Sequence, residues 1–136
     1  MAPRFDLVGI VVGDMARSLA FYRRLGLDIP ADMDDAPHVE FTFPNGVRIA
    51  FDTHATIQSF DPTFDPTTLT SAGHQVSLAF ACDDPADVDA TFADMVGAGA
   101  EPHLAPWDAF WGQRYAALRD PDGNGVDLFA PLPKQA

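Results

Sequence analysis

Only one cysteine, Cys82, stands in the 136 residues, so the chain can build neither an internal disulfide nor a thiolate-rich zinc site. Such poverty in thiols fits a reducing, cytoplasmic compartment. No apolar run approaches the roughly 18 residues a membrane span needs, and Asp6 interrupts the stretch in which a signal peptide would keep its apolar segment. The expectation is neither secretion nor membrane insertion. Basic residues are also scarce: eight Lys and Arg against 20 Asp and Glu give a net charge of -12. That balance repels a phosphate backbone and argues against nucleic acid as a partner. The acidic excess reads first as solvated surface carboxylates, and second as a field that would concentrate a cationic ligand.

What is present is enough for one core. With 47% apolar residues, 1–136 reads as a single small domain. Residues 7–12 form a short apolar strand. Asp14 then stands as helix N-cap ahead of Leu19, Phe21, Tyr22 and Leu25. Gly26 and Pro30 close that helix, and two strands follow, His38 to Phe43 and Val47 to Asp52, joined by the turn Pro44-Asn45-Gly46. There is room for a further edge strand around Ala31 to Met33.

The order then returns. Val76 to Cys82 is a second strand, and Asp84-Pro85 opens a second helix with Val88, Phe92 and Met95 on one face. Two strands, Arg114 to Arg119 and Gly125 to Phe129, flank the turn Asp120-Pro121-Asp122-Gly123-Asn124. Placing Asp14 on Asp84 is an offset of 70, which sets Leu7 on Ser77. The chain therefore reads as a duplicated unit, with halves 5–53 and 74–132. Residues 54–73, rich in Pro, Thr and Ser, read as the linker between them.

Strand alternation separates two faces. Val8, Ile10, Val12, Val47, Ile49, Phe51, Leu78, Phe80, Cys82, Val126 and Leu128 form an apolar face that would hold the helices. The opposite face carries Leu7, Gly9, Val11, Arg48, Ala50, Asp52, Ser77, Ala79, Ala81, Gly125, Asp127 and Phe129. Small side chains there leave a concavity, for a ligand or for a closely packed partner chain.

Two segments carry a resemblance that covers nearly the whole chain. One is Val8 to Asp14 (VGIVVGD) running into Ser18 to Gly26 (SLAFYRRLG). The other is Arg119 to Asn124 (RDPDGN) running into Val126 to Phe129 (VDLF). Together they resemble the vicinal oxygen chelate superfamily of glyoxalases, bleomycin-resistance proteins and extradiol dioxygenases. The segment Trp111 to Tyr115 (WGQRY) is similar to the bleomycin-resistance branch. The resemblance implies an α+β fold of tandem βαβββ modules, curved mixed sheets enclosing a ligand cup, and commonly a homodimer.

Catalytic members of that superfamily hold a divalent metal through His, Glu or Gln on the cup face. The matching positions here are Leu7, Ala50, Ser77 and Asp127, of which only Asp127 is a carboxylate, and a catalytic metal needs about three converging protein ligands. His38, His54, His74 and His103 are scattered and read as surface or structural histidines. His74, just before the strand that begins the second half, is the least dismissible. The expectation is no metal and no other cofactor, which weighs against activities that stabilise an oxyanion or activate oxygen at that metal. Ser77 has no general base in register, and Cys82 belongs to the core face, so no nucleophile is assigned.

Trp107, Phe110, Trp111 and Tyr115 crowd nine residues that include both tryptophans of the chain. Flat aromatic rings beside a concave site suit planar or cationic ligands, although the same rings would equally plug a seam between halves or protomers. The candidate ligand-binding residues are Trp111, Tyr115, Trp107, Phe110, Arg48, Asp52, Asp127 and Ser77. Phe60 and Phe64 are candidates for a flap. The leading expectation is a metal-free protein that sequesters a small planar or aromatic molecule, such as a glycopeptide antibiotic. Its alternative is a metal-dependent lyase, isomerase or dioxygenase-like enzyme with an atypical ligand set, and a third is an interaction module.

Overall fold

A computed structural model describes residues 5–69 and 76–134 and divides the chain into two compact units, Met1–Leu69 and Thr70–Ala136. Strand β1 (Leu7–Val12) leads into helix α1 (Met15–Arg24), and β2 (His38–Thr42) and β3 (Arg48–Thr53) complete a three-stranded sheet of order β1-β3-β2. β1 runs parallel to β3, a pairing that needs the long connection through α1 and β2, and β2 runs antiparallel to β3 as its hairpin partner. Asp14 caps α1 by accepting from the Arg17 amide at 2.9 Å. The helix lies on the face carrying Ile10, Val12, Val39, Ile49 and Phe51, where the buried Tyr22 ring meets Phe51 at 5.1 Å.

The second unit repeats the plan with one more strand. β4 (Ser77–Ala81) leads into α3 (Pro85–Gly97), and β5 (Glu101–Ala109), β6 (Gln113–Arg119) and β7 (Gly125–Pro131) give the order β4-β7-β6-β5. Asp84 caps α3 through the Asp87 amide at 2.8 Å, with Pro85 in the first turn, where it forfeits no helical hydrogen bond. Val88 and Met95 of α3 are buried, as are Ala116, Leu118, Val126, Leu128 and Ala130 on one sheet face. Gly9 pairs with Ala50 and Ala79 pairs with Asp127, so β1 and β4 keep the 70-residue offset while their ladder partners stand 77 residues apart.

Four details depart from the sequence reading. Ala31–Met33 is a 3-10 turn, not a strand. Its backbone bonds are local, Met33 N–H to the Pro30 carbonyl at 3.1 Å and Ala36 N–H to the Met33 carbonyl at 3.0 Å, and Arg23 braces both sides of the turn by donating to the Ile29 and Pro30 carbonyls and to Asp34. The stretch assigned to a linker contains helix α2 (His54–Phe60), capped by Thr53, and a 3-10 turn at Pro66–Thr68. Val47 is 41% exposed and precedes β3 rather than packing in the core, because the Asn45 side chain and the Phe43 amide hold it in the turn. β5 is an edge strand of 9 residues whose register shifts twice, around Pro102 and Pro106. Among the described residues no helix is long and apolar enough to cross a membrane.

Candidate functional site

The second sheet has one face turned to α3 and one that α3 does not cover. Pairing registers place Ser77, Ala79 and Ala81 of β4, Gly125, Asp127 and Phe129 of β7, Tyr115, Ala117 and Arg119 of β6, and Trp107 of β5 on that second face. At the β4 side it is floored by alanine, serine and glycine. At the β5 side it rises into aromatic rings.

Trp107 lies directly opposite Tyr115, and Trp111 belongs to the β5–β6 turn rather than to a strand. Gly112 makes this turn possible: its φ of +92° is open to glycine at little cost, and its amide closes the turn on the Ala109 carbonyl at 3.0 Å. The turn folds Trp111 back onto the sheet. Ring centroids lie 5.9 Å apart for Trp107 and Trp111, 5.3 Å for Trp111 and Tyr115, and 5.4 Å for Trp107 and Tyr115, all edge to face. The three rings form a closed triangle in the preferred aromatic geometry. The Trp111 indole N–H donates to Gln113 Oε1 at 2.8 Å, which fixes the ring while leaving Trp111 48% exposed. Phe110 sits at the hairpin tip, 96% exposed, and touches only the edge of the cluster through Trp111.

Beside the triangle, the Tyr115 hydroxyl donates to Asp127 Oδ2. Burial, then the hydrogen bond to Asp127, then its charge, push the Tyr115 phenol up to about 12. At neutral pH the phenol therefore stays protonated and donates to Asp127 through Oδ2, a bond in which Oδ1 takes no part. Ser77 stands on the same face, two strand positions from the residue that pairs with Asp127.

Arg48 and Asp52 belong to the first unit and lie on the face of its sheet away from α1. The structure ties them to two residues that sequence reasoning passes over as site members, His38 and Glu40. His38 contacts Asp52 and Glu40, and Arg48 donates to Glu40 at 2.6 Å and to Asp6. The signal is present in the hairpin. Counting outward from the Asn45-Gly46 turn pairs Thr42 with Arg48 and His38 with Asp52.

The positions at which a superfamily metal would be held do not supply a donor set. Leu7 and Ala50 have no ligating atom, and Ala50 is only 2% exposed. Ser77 offers a hydroxyl, and Asp127 already accepts from Tyr115. His54 opens α2, where its ring faces Phe64 at 5.8 Å, His103 lies in β5, and His74 is outside the described residues. Among the described residues no three His, Cys, Asp or Glu side chains are grouped to hold a metal ion. These residues do not fit a catalytic divalent metal. Cys82 is half-buried, and burial followed by the nearby Asp87 charge raises its thiol pKa, which makes it a poor nucleophile.

Solved structures share the fold. A glyoxalase/bleomycin resistance protein/dioxygenase family enzyme from Burkholderia phytofirmans PsJN superposes with a TM-score of 0.77 at 22% identity, covering 93% of this chain and 98% of that one. A protein of unknown function from Agrobacterium tumefaciens str. C58 is 29% identical, with a TM-score of 0.70 and 97% of each chain covered. A glyoxalase/bleomycin resistance protein from Albidiferax ferrireducens T118 gives 25% identity and a TM-score of 0.62 over 93% of this chain and 97% of that one. No curated protein matches the sequence. A family model matches residues 4–128, and with this sheet topology the chain belongs to the Glyoxalase/Bleomycin resistance protein/Dioxygenase superfamily.

Proposed function

We propose that the protein binds and sequesters a small planar or aromatic molecule without a metal and without chemistry, as a cytoplasmic homodimer. The observation that carries this reading is the Trp107–Trp111–Tyr115 triangle, with one tryptophan held yet half exposed, beside the Asp127 carboxylate, of which Tyr115 engages one oxygen. A pre-organised ring loses little entropy on binding, so stacking on it contributes on the order of 1 kcal/mol, and more for a desolvated cation. Asp127 adds a charge-assisted hydrogen bond of roughly 1.5–3 kcal/mol to a ligand amine or amide. Together they favour a planar ligand with positive charge or amide donors, a description that includes glycopeptide antibiotics.

The lack of a convergent donor set at Leu7, Ala50 and Ser77 supports binding over metal-assisted catalysis. The strand β4, an edge made of Ser, Leu, Ala and Phe with no charged or proline residue, supports association, since an unprotected edge invites pairing. Light scattering checks the dimer, and a monomer at every concentration would refute it. The binding reading is tested by titrating the protein with bleomycin, and separately with a planar aromatic cation such as ethidium, while following tryptophan fluorescence. Saturable quenching or shift by either supports it; unchanged fluorescence and no heat of binding with both would overturn it.

A further inference from the structure

The first sheet carries a linked set of ionisable side chains that the binding site does not use. His38 opens edge strand β2 and stands opposite Asp52 of β3. Its Nδ1 lies 2.5 Å from Asp52 Oδ1, and its Nε2 lies 2.8 Å from Glu40 Oε2. The other oxygen of Glu40 accepts from Arg48 at 2.6 Å, and Arg48 in turn meets the Asp6 carboxylate. Five charged or titratable groups from β2, β3 and the segment before β1 thus form one chain.

The ring itself decides the chemistry. Both of its nitrogens face carboxylate oxygens, and an ionised carboxylate only accepts hydrogen bonds. A neutral imidazole has one N–H and would meet one of its two neighbours lone pair to lone pair. Both contacts are hydrogen bonds only when both nitrogens carry protons. We infer that His38 is an imidazolium at neutral pH and works as a pH-sensitive latch that holds edge strand β2 against β3 in the first unit.

The groups facing the ring are Asp52 from β3 and Glu40 from its own strand. Arg48 of β3 and Asp6 ahead of β1 stand one step further along the chain of contacts. The hydrogen bonds to Glu40 and Asp52 raise the His38 pKa above its ordinary value of 6.5, against an opposing contribution from burial and with the charges of both carboxylates adding to the rise. Because the folded value is the higher one, the latch is fully closed below pH 6.5 and is lost as pH rises through the raised value. Three carboxylates against two cations leave this set at one net negative charge when closed. Loss of the proton makes it two, and one carboxylate then faces a ring lone pair.

Backbone bonds place the latch next to a further anchor. The Pro37 carbonyl, one residue before His38, accepts from the Thr53 amide at 3.2 Å and from the Thr56 hydroxyl at 2.8 Å. Neither donor titrates near neutral pH, so this anchor persists when His38 loses its proton; His54, which opens α2 beside it, is told apart by the His38→Gln variant.

The full chain, labelled with 15N, tests the inference through the imidazole nitrogens, with His38→Gln assigning the signals. Both His38 nitrogens are expected in the protonated range at pH 7, with a midpoint above 6.5 that falls in Asp52→Asn and in Glu40→Gln. Hydrogen-exchange protection of the β2 amides should drop across that same midpoint in the parent and show no such step in His38→Gln. A singly protonated ring at pH 7, or a midpoint at or below 6.5, overturns the charged state. A protection profile in β2 that is identical in parent and His38→Gln overturns the latch, and the parent titration decides the first point even if a variant fails to fold.

Discussion

The Tyr115 hydroxyl donates to Asp127 across neighbouring strands, although the two residues are diagonal in the ladder, where Tyr115 faces Phe129 and Ala117 faces Asp127. A long aromatic side chain can reach that diagonal partner. It does so over Ala117, whose small side chain leaves the path open. The contact joins the aromatic triangle to the Asp127 carboxylate on the sheet face, and it keeps the phenol protonated.

The first prediction is a titration. With its pKa pushed up to about 12, Tyr115 should stay neutral through pH 10, and the NMR signal of its ring carbons should shift only well above that. Asp127→Asn should lower the midpoint toward 10 without reaching it, because burial is the larger cause and remains. The native state holds the proton more tightly than the unfolded chain, so the contribution to stability is complete below about pH 10 and is lost as pH rises through 12. A parent midpoint close to 10 would show that the phenol is solvated and the bond absent in solution.

A second prediction concerns the turn between β6 and β7. Asp120 is buried, and its carboxylate accepts from the Asp122 and Asn124 amides at 2.9 and 2.8 Å and from the Asn124 side chain at 2.8 Å. Asp120→Ala leaves those donors without their acceptor and should cost about 2–3 kcal/mol in urea denaturation. Asp120→Asn keeps one acceptor oxygen and should lose less. A loss under about 0.5 kcal/mol for Asp120→Ala would mean that water replaces the carboxylate.

Much of this architecture is legible in the order of the amino acids. Asp14 and Asp84 announce both main helices because a capping carboxylate ahead of an apolar stripe has few other readings. The β2–β3 pairing follows from the turn at Asn45-Gly46, and the 70-residue offset puts Gly9 and Ala79 in equivalent positions. β5 is hidden from such a reading because Pro102 and Pro106 argue against a strand, and only its edge position and its two register shifts accommodate them. Trp111 illustrates the limit for the site. Sequence spacing groups it with Tyr115, but a backbone turn at Gly112, not strand alternation, brings the ring onto the sheet. His38 reads as an isolated histidine for a related reason: its partners become neighbours only through cross-strand register.

The metal prediction is independent of any ligand. Leu7 and Ala50 cannot ligate, and Ser77 with Asp127 falls short of three strong donors. Elemental analysis of the purified protein should find no stoichiometric divalent metal, and chelator should leave the melting temperature unchanged. About one zinc, nickel, iron or manganese per chain would refute this and restore the enzyme reading.

The last prediction separates binding from packing within the aromatic triangle. Trp111 sits in a turn, half exposed, with its indole N–H satisfied by a neighbouring glutamine. Trp111→Ala should therefore change stability by no more than about 1 kcal/mol, whereas loss of its stacking surface should weaken a bound planar probe by roughly five- to tenfold. Trp107 is placed differently: it lies within β5, faces Tyr115 directly and braces Trp111 edge to face. Trp107→Ala should lower stability by about 1–3 kcal/mol and disturb both remaining rings, so its loss of affinity would come with a loss of fold. The two variants thus differ in the ratio of affinity lost to stability lost, measured by fluorescence or calorimetric titration with bleomycin or ethidium alongside urea denaturation. If Trp111→Ala binds as tightly as the parent while destabilising the chain as much as Trp107→Ala, the triangle is a packing cluster and the ligand lies elsewhere.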